Sequence, residues 1–318
     1  MSNNTLIRLP FNETLYAPFF VISLLTFILD IMVIFLNYRY NSNKTNILFT
    51  AVNVCISSWL RCFVQILTWQ PQNREKNQND LNSLFNLCSI LAAIGVTAKI
   101  SQDIWVCILG VSFYSELISP TINESKEDRK KWLFIKILSY VIAVFIPVVI
   151  AGILFFNGSL GLGNICCWIQ YNKQSAKTFL RCFITTIKWI TIFINGFFCF
   201  KIFIIVHKMY PLLKDDKQKK DLKKLQIIIF SFPFNQLLEA PFSTASTIIN
   251  IINEINSTNS PPSDNIFQRI IFVIGAIQSL FYSISFFFFT NGWNSIHKMC
   301  NKDNKEVEEI YNLQLISN

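Results

Sequence analysis

Charge is scarce in this sequence. Of 318 residues only 15% are Asp, Glu, Lys or Arg, well below the roughly 25% usual for a domain folded in water. Histidine is scarcer still, with His207 and His297 alone, and the nine cysteines include no CxxC pair. A zinc site or other metal framework therefore has no ligands at workable spacing, and no metal or other cofactor is expected. HExxH, GxSxG and glycine-rich phosphate loops are absent as well. With them go the motifs of metalloproteases, serine hydrolases and P-loop enzymes, and no enzymatic activity is expected. A net charge of +9 would suit nucleic acid if the basic side chains shared one solvated face. They cluster instead between apolar blocks, so nucleic acid is not an expected partner.

Apolar residues are abundant, at 52% of the chain with a mean hydropathy of +0.40, and they fall in blocks. Seven blocks are long enough to cross about 30 Å of hydrocarbon, which takes about 20 helical residues. They run approximately 16–36, 46–69, 84–114, 132–156, 179–206, 225–252 and 267–290. Lipid offers the backbone no hydrogen-bond partner, and the short alternating strands of a barrel are missing, so each block is expected to be a helix. The expected fold class is an all-α membrane protein, a seven-transmembrane helix bundle. Residues 1–15 form its outer amino terminus and residues 299–318 its cytoplasmic tail. A cleavable leader is not expected, because "MSNNTLIRLPFNET" is polar and the block after it is long enough to span.

Basic residues set the orientation. Arg39 and Lys44, Lys126 to Lys131, seven lysines between 208 and 224, and Lys298, Lys302 and Lys305 fall on one side, against Arg8, Arg74, Lys76 and Lys173 on the other. The positive-inside rule then puts the amino terminus outside and the tail in the cytosol of a multi-pass protein of the cell membrane. Glycosylation sequons at Asn3, Asn12, Asn157 and Asn256 fall outside, while those at Asn43 and Asn123 fall inside and are expected to stay bare. The third inner loop, "KMYPLLKDDKQKKDLKKLQ", carries seven lysines against three aspartates. Such a surface attracts anionic lipid headgroups and is also where a cytosolic partner would dock.

Two outer cysteines stand out. Cys88 begins the third span and Cys167 lies in "NGSLGLGNICCWIQYN" after the fourth. In an oxidising exterior the two are expected to form a disulfide, with Cys166 as the competing partner. Such a bond would tie the loop to the head of the third helix. Farther along that helix stand Lys99 and Asp103, 11 and 15 residues after Cys88, or about 16 and 22 Å at the helical rise. At spacing i, i+4 they share a face, and charges at that depth normally point into the bundle and pair. The plain expectation is a self-neutralising structural pair; the functional one is a pair that breaks or repartners when the bundle changes state. Asp30, Arg61, Lys188 and Glu239 are further buried ionisable residues, whereas Lys136, Lys201 and Arg269 lie near span ends and can snorkel. Glu239 is flanked by Pro233 and Pro241 in "FPFNQLLEAPF", and the sixth span is expected to bend there.

Seven helices with an outer amino terminus, a tethered second outer loop and a basic third inner loop give the general plan of G-protein-coupled receptors. "LTFILD" (25–30) followed by "YRYNSNKTNILF" (38–49) resembles the first span and first inner loop of Frizzled and Smoothened receptors. The interval from Cys88 to "IWVCIL" (104–109) is similar to the third helix of that family, and "KKDLKKLQ" (219–226) to the start of its sixth helix. The resemblance spans roughly residues 20 to 298. It implies a receptor that takes an extracellular or lipidic ligand and acts on cytosolic partners, G proteins among them. Aligning "KKLQIII" places Ile228 where the family has a basic switch residue, with Lys224 one turn earlier as its substitute. About 15 residues precede the first span, none of them cysteine. The resemblance is therefore to the members without a cysteine-rich domain, and Wnt recognition through such a domain is not expected. "TNGWNSIHKM" lacks the KTxxxW-like motif that serves Dishevelled, so that partner is not expected either. Within receptors the alternative is the cyclic-AMP-receptor-like family, which "CWI" (167–169) resembles. From a different class, a channel or transporter would line its pathway with the same buried charges; no internal repeat supports it.

Overall fold

A backbone amide inside lipid meets no water, so each apolar block must satisfy its own hydrogen bonds, and the long ones do so as helices. The computed structural model describes residues 13–41, 46–68, 78–118, 126–162, 167–169, 174–212, 216–255, 270–271 and 273–286. The helices are α1 (Glu13–Asn41), α2 (Asn46–Thr68), α3 (Gln78–Ile118), α4 (Lys126–Tyr140), α5 (Ile146–Phe156), α6 (Gln174–Met209) and α7 (Asp216–Ile255), then α8 (Val273–Phe286). Four stretches are long and apolar enough to cross a membrane: Phe49–Leu67, Leu87–Ser115, Leu133–Phe156 and Thr178–Lys208. Phe20–Phe35 and Val273–Phe286 are apolar but shorter. The protein is an all-α chain with the helices of a membrane protein.

Local chemistry explains the irregular points. α4 and α5 are joined by a π-helical turn, Val141–Phe145, in which the Ile146 amide donates to the Val141 carbonyl five residues back. Pro147 follows at once. Its ring would crowd the carbonyl four residues earlier, that of Ala143, and the wider turn gives it room. α7, by contrast, runs unbroken through both Pro233 and Pro241. Proline cannot donate to the carbonyl four residues before it; for Pro233 that carbonyl belongs to Ile229, and the Cys199 thiol of α6 donates to it at 3.7 Å.

Between α5 and α6 the chain makes a small antiparallel hairpin, β1 (Leu160–Leu162) and β2 (Cys167–Ile169), with Leu162 opposite Cys167. It packs on α3, and the Ser89 hydroxyl donates to the Leu160 carbonyl at 2.9 Å. α3 is the hub, against which α2, α5 and α6 pack, while α1 lies on α2 and α7 on α6. Two apolar clusters form the core. One, at the hairpin end, includes Leu91, Val96, Leu154 and Leu180. The other, toward the opposite end, includes Trp105, Leu109, Phe113, Ile202, Phe232 and Phe286.

Polarity is distributed inside out relative to a protein folded in water. α1 buries Ser23, Thr26 and Asp30 while exposing Leu24, Leu25, Ile28, Ile31 and Met32. α6 likewise buries Thr185, Lys188, Thr191 and Asn195 and exposes Ile190, Phe193, Phe197 and Phe200. Apolar surface on that scale would associate in water. Facing hydrocarbon, it leaves interhelical hydrogen bonds as the specific glue between helices.

Candidate functional site

Six charged residues are buried among the described residues: Asp30, Arg61, Lys99, Asp103, Lys188 and Glu239. They number three cations and three carboxylates, contributed by α1, α2, α3, α6 and α7. Those on α3 fall where its two apolar clusters meet, one taking Val96 and Ile100 and the other starting at Trp105.

Glu239 of α7 is the centre of this layer. Its Oε2 accepts from Lys99 Nζ of α3 at 2.9 Å and lies 2.5 Å from Lys188 Nζ of α6. Lys99 Nζ is also 3.7 Å from Asp103 Oδ2 on its own helix. The i, i+4 pair that the sequence suggested is therefore not self-contained: the nearer acceptor of Lys99 stands 140 residues away on α7. The cause is reach. A lysine side chain has four flexible carbons, and with a carboxylate on the facing helix the ammonium leaves its own helix to cross the interface. Neither Asp103 oxygen has a hydrogen-bond donor among the described residues. Glu239 is thus served by two cations and Asp103 by one at a distance.

Amides and hydroxyls carry the layer toward α1 and α8. Arg61 Nη1 of α2 donates to Gln102 Oε1 at 3.1 Å, and Gln102 Nε2 donates to Ser279 Oγ of α8 at 3.3 Å. Ser283 Oγ, one turn on, lies 2.5 Å from Asp30 Oδ1 of α1 and 3.0 Å from the Ser279 carbonyl, its single hydroxyl proton serving the two acceptors between them. Arg61 comes this close to α8 because residue 275 is glycine; a Cβ there would run into the guanidinium. On the other side, Asn195 of α6 donates to Gln236 of α7 at 2.9 Å, and the Asn195 side chain fits against Gly110 of α3, where a Cβ would collide with it. Nearer the hairpin, α6 and α7 are fastened by Thr185 to Ser243 and Thr247, each at 2.9 Å. Trp189 Nε1 adds a bond to Thr244 at 3.0 Å.

Cys88 and Cys167 form a disulfide, with Cα atoms 5.1 Å apart, which holds β2 on α3; Cys166 lies outside the described residues. Asn157 is exposed in the turn after α5, whereas Asn3, Asn12 and Asn256 lie outside the described residues. Lys224 lies within α7, but its side chain is outside them. Two of the lysines near span ends sit over rings, Lys136 at 5.0 Å from the centre of Phe49 and Lys201 at 5.6 Å from that of Phe197. Sequence names Lys188 and Arg61 as buried ionisable residues without giving either a partner. The one available signal was charge balance, since every cation in the layer needs a carboxylate or a polar host.

This arrangement joins six helices, α1, α2, α3, α6, α7 and α8, through electrostatics and hydrogen bonds in a medium where both are strong. Among the described residues no group of three or more His, Cys, Asp or Glu side chains is placed to hold a metal ion. No protein-family model matches the chain, and no curated protein is similar to it in sequence.

Proposed function

We propose that this chain is a seven-transmembrane receptor of the Frizzled/Smoothened-like type, carrying an extracellular signal across the cell membrane to cytosolic partners, G proteins among them. Its amino terminus is outside and its tail is in the cytosol. The observation that carries the reading is the bond from Lys99 to Glu239, with Lys188 beside it. A charged contact there makes the relative position of α3, α6 and α7 a matter of discrete partners. A ligand that prefers one arrangement of those helices shifts the population toward it, and the cytosolic ends of the same helices move with them. The disulfide-held hairpin over α3 supports a ligand route from that end of the bundle, and the lysine-rich segment 208–224 supplies a surface for anionic lipid and for a cytosolic partner.

The test is nucleotide exchange. The purified full chain in lipid nanodiscs is screened with lipidic and water-soluble ligands for acceleration of GDP release from G-protein α subunits. A ligand that accelerates release in the intact protein and not in E239Q is the expected result. The second reading, a channel or transporter, draws on the same buried charges. Ion or solute flux through reconstituted vesicles, with no ligand producing nucleotide exchange, would replace the receptor reading with that one.

A further inference from the structure

Charge is balanced in the central layer, yet contacts are shared unequally. Glu239 holds both Lys99 and Lys188. Asp103, 1% exposed, has Lys99 at 3.7 Å and no hydrogen-bond donor on either oxygen among the described residues. A carboxylate buried in hydrocarbon without a close partner is expensive. The same side chains allow a second arrangement in which nothing is left over: Lys188 keeps Glu239, and Lys99 turns to Asp103. We infer that Lys99 is a two-position latch, held by Glu239 when α7 lies against α3 and taken over by Asp103 when α7 draws away.

Geometry makes the transfer small. A charge-assisted bond is about 2.8 Å long, so the ammonium needs to travel about 1 Å toward Asp103, within the reach of side-chain rotation alone. α7 is suited to leave. It meets α3 sparsely while packing extensively on α6, so the Lys99 bond is a principal tie between α3 and α7. Pro233 and Pro241 bracket Glu239 and remove a helix hydrogen bond on each side of it. The other ties of α7 run to α6, through Gln236 with Asn195 and Thr191 and through Ser243, Thr244 and Thr247, and to α8 through Asn235 with Gln278, so the stretch around Glu239 can draw away from α3 while it keeps those partners. Asp103 then has a purpose that static packing does not give it. It lowers the cost of the released state by receiving the cation that α7 abandons. The latch requires only that α7 moves relative to α3, whatever drives it, so its failure would leave the receptor reading standing.

The two carboxylates carry opposite predictions. In hydrogen–deuterium exchange of the full chain in nanodiscs, E239Q removes the docked position, and amide exchange in 229–241 is expected to rise severalfold. D103N removes the released position, and exchange in the same segment is expected to fall. A purely structural cluster predicts loosening by both substitutions; the same sign for the two, or no effect of D103N, overturns the latch. Should E239Q fail to fold, E239D keeps the charge but shortens the reach and is expected to raise exchange by a smaller factor. An unchanged rate in E239D overturns the proposal equally. The double variant D103N/E239Q strands Lys99 and is expected to melt lower than the two single losses together would bring it; simple addition counts against a shared cation.

Discussion

At the scale of single residues, the buried layer turns small substitutions into large effects. Removing Glu239 leaves Lys99 and Lys188 without their shared acceptor, and breaking a buried pair by removing one partner costs about 3–5 kcal/mol. E239L is therefore expected to lose most of its folded yield in a detergent melting assay. K188M is expected to be milder, because Lys99 still neutralises Glu239 at 2.9 Å. A greater loss in K188M than in E239L would show that the arrangement around Glu239 has been misassigned. Glycine offers a second test. G275A places a methyl group against the buried guanidinium of Arg61, which must give up Gln102 to accommodate it; overpacking of this kind costs about 1–3 kcal/mol. G152A meets nothing nearby and is the matched control, expected to melt within a degree or two of the parent protein.

Elements show what sequence can and cannot tell. The positions of α2 and of the stretch Leu133–Phe156 follow from hydropathy, because a predominantly apolar run of about 20 residues has few other uses. Their ends do not. α3 begins six residues before its apolar block, and α7 starts at Asp216, nine residues before 225, because a helix continues into polar sequence at no cost once it meets water. The π turn had a visible cause in Pro147, but a proline within an apolar run predicts a disturbance and not its form; α7 absorbs two prolines without interruption. The hairpin was hidden by its brevity, three residues per strand, and the bond from Lys99 to Glu239 by its 140-residue separation. No local pattern encodes a partner that far away. The Cys88–Cys167 bond closes a loop of 79 residues, and losing such a bond typically costs about 2–5 kcal/mol. C167S is expected to lower the melting temperature and abolish the shift produced by reductant, while C166S leaves both unchanged; the reverse result would move the bond to Cys166.

On the scale of the whole molecule, the proposed seven-crossing arrangement predicts where enzymes of the secretory pathway find the chain. In the full-length protein made with microsomes, Asn157 is expected to acquire a glycan removable by endoglycosidase, and Asn43 and Asn123 are not. A glycan at Asn43 would place the α1–α2 connection on the wrong side and dismantle the receptor reading. Tags at the two termini should likewise be reached from opposite faces. The inverted polarity carries its own consequence for how this sequence is free to drift. In a cytosolic enzyme a library of random codons is purged of polar residues at inward positions. Here the outward positions on α1 and α6 should accept almost any oily side chain and reject Lys or Asp, whereas Ser23, Thr185 and Asn195 should tolerate other hydrogen-bonding residues before they tolerate leucine. Selection would thus write each helix as the mirror image of a soluble one, with its permissive greasy stripe turned toward the outside world.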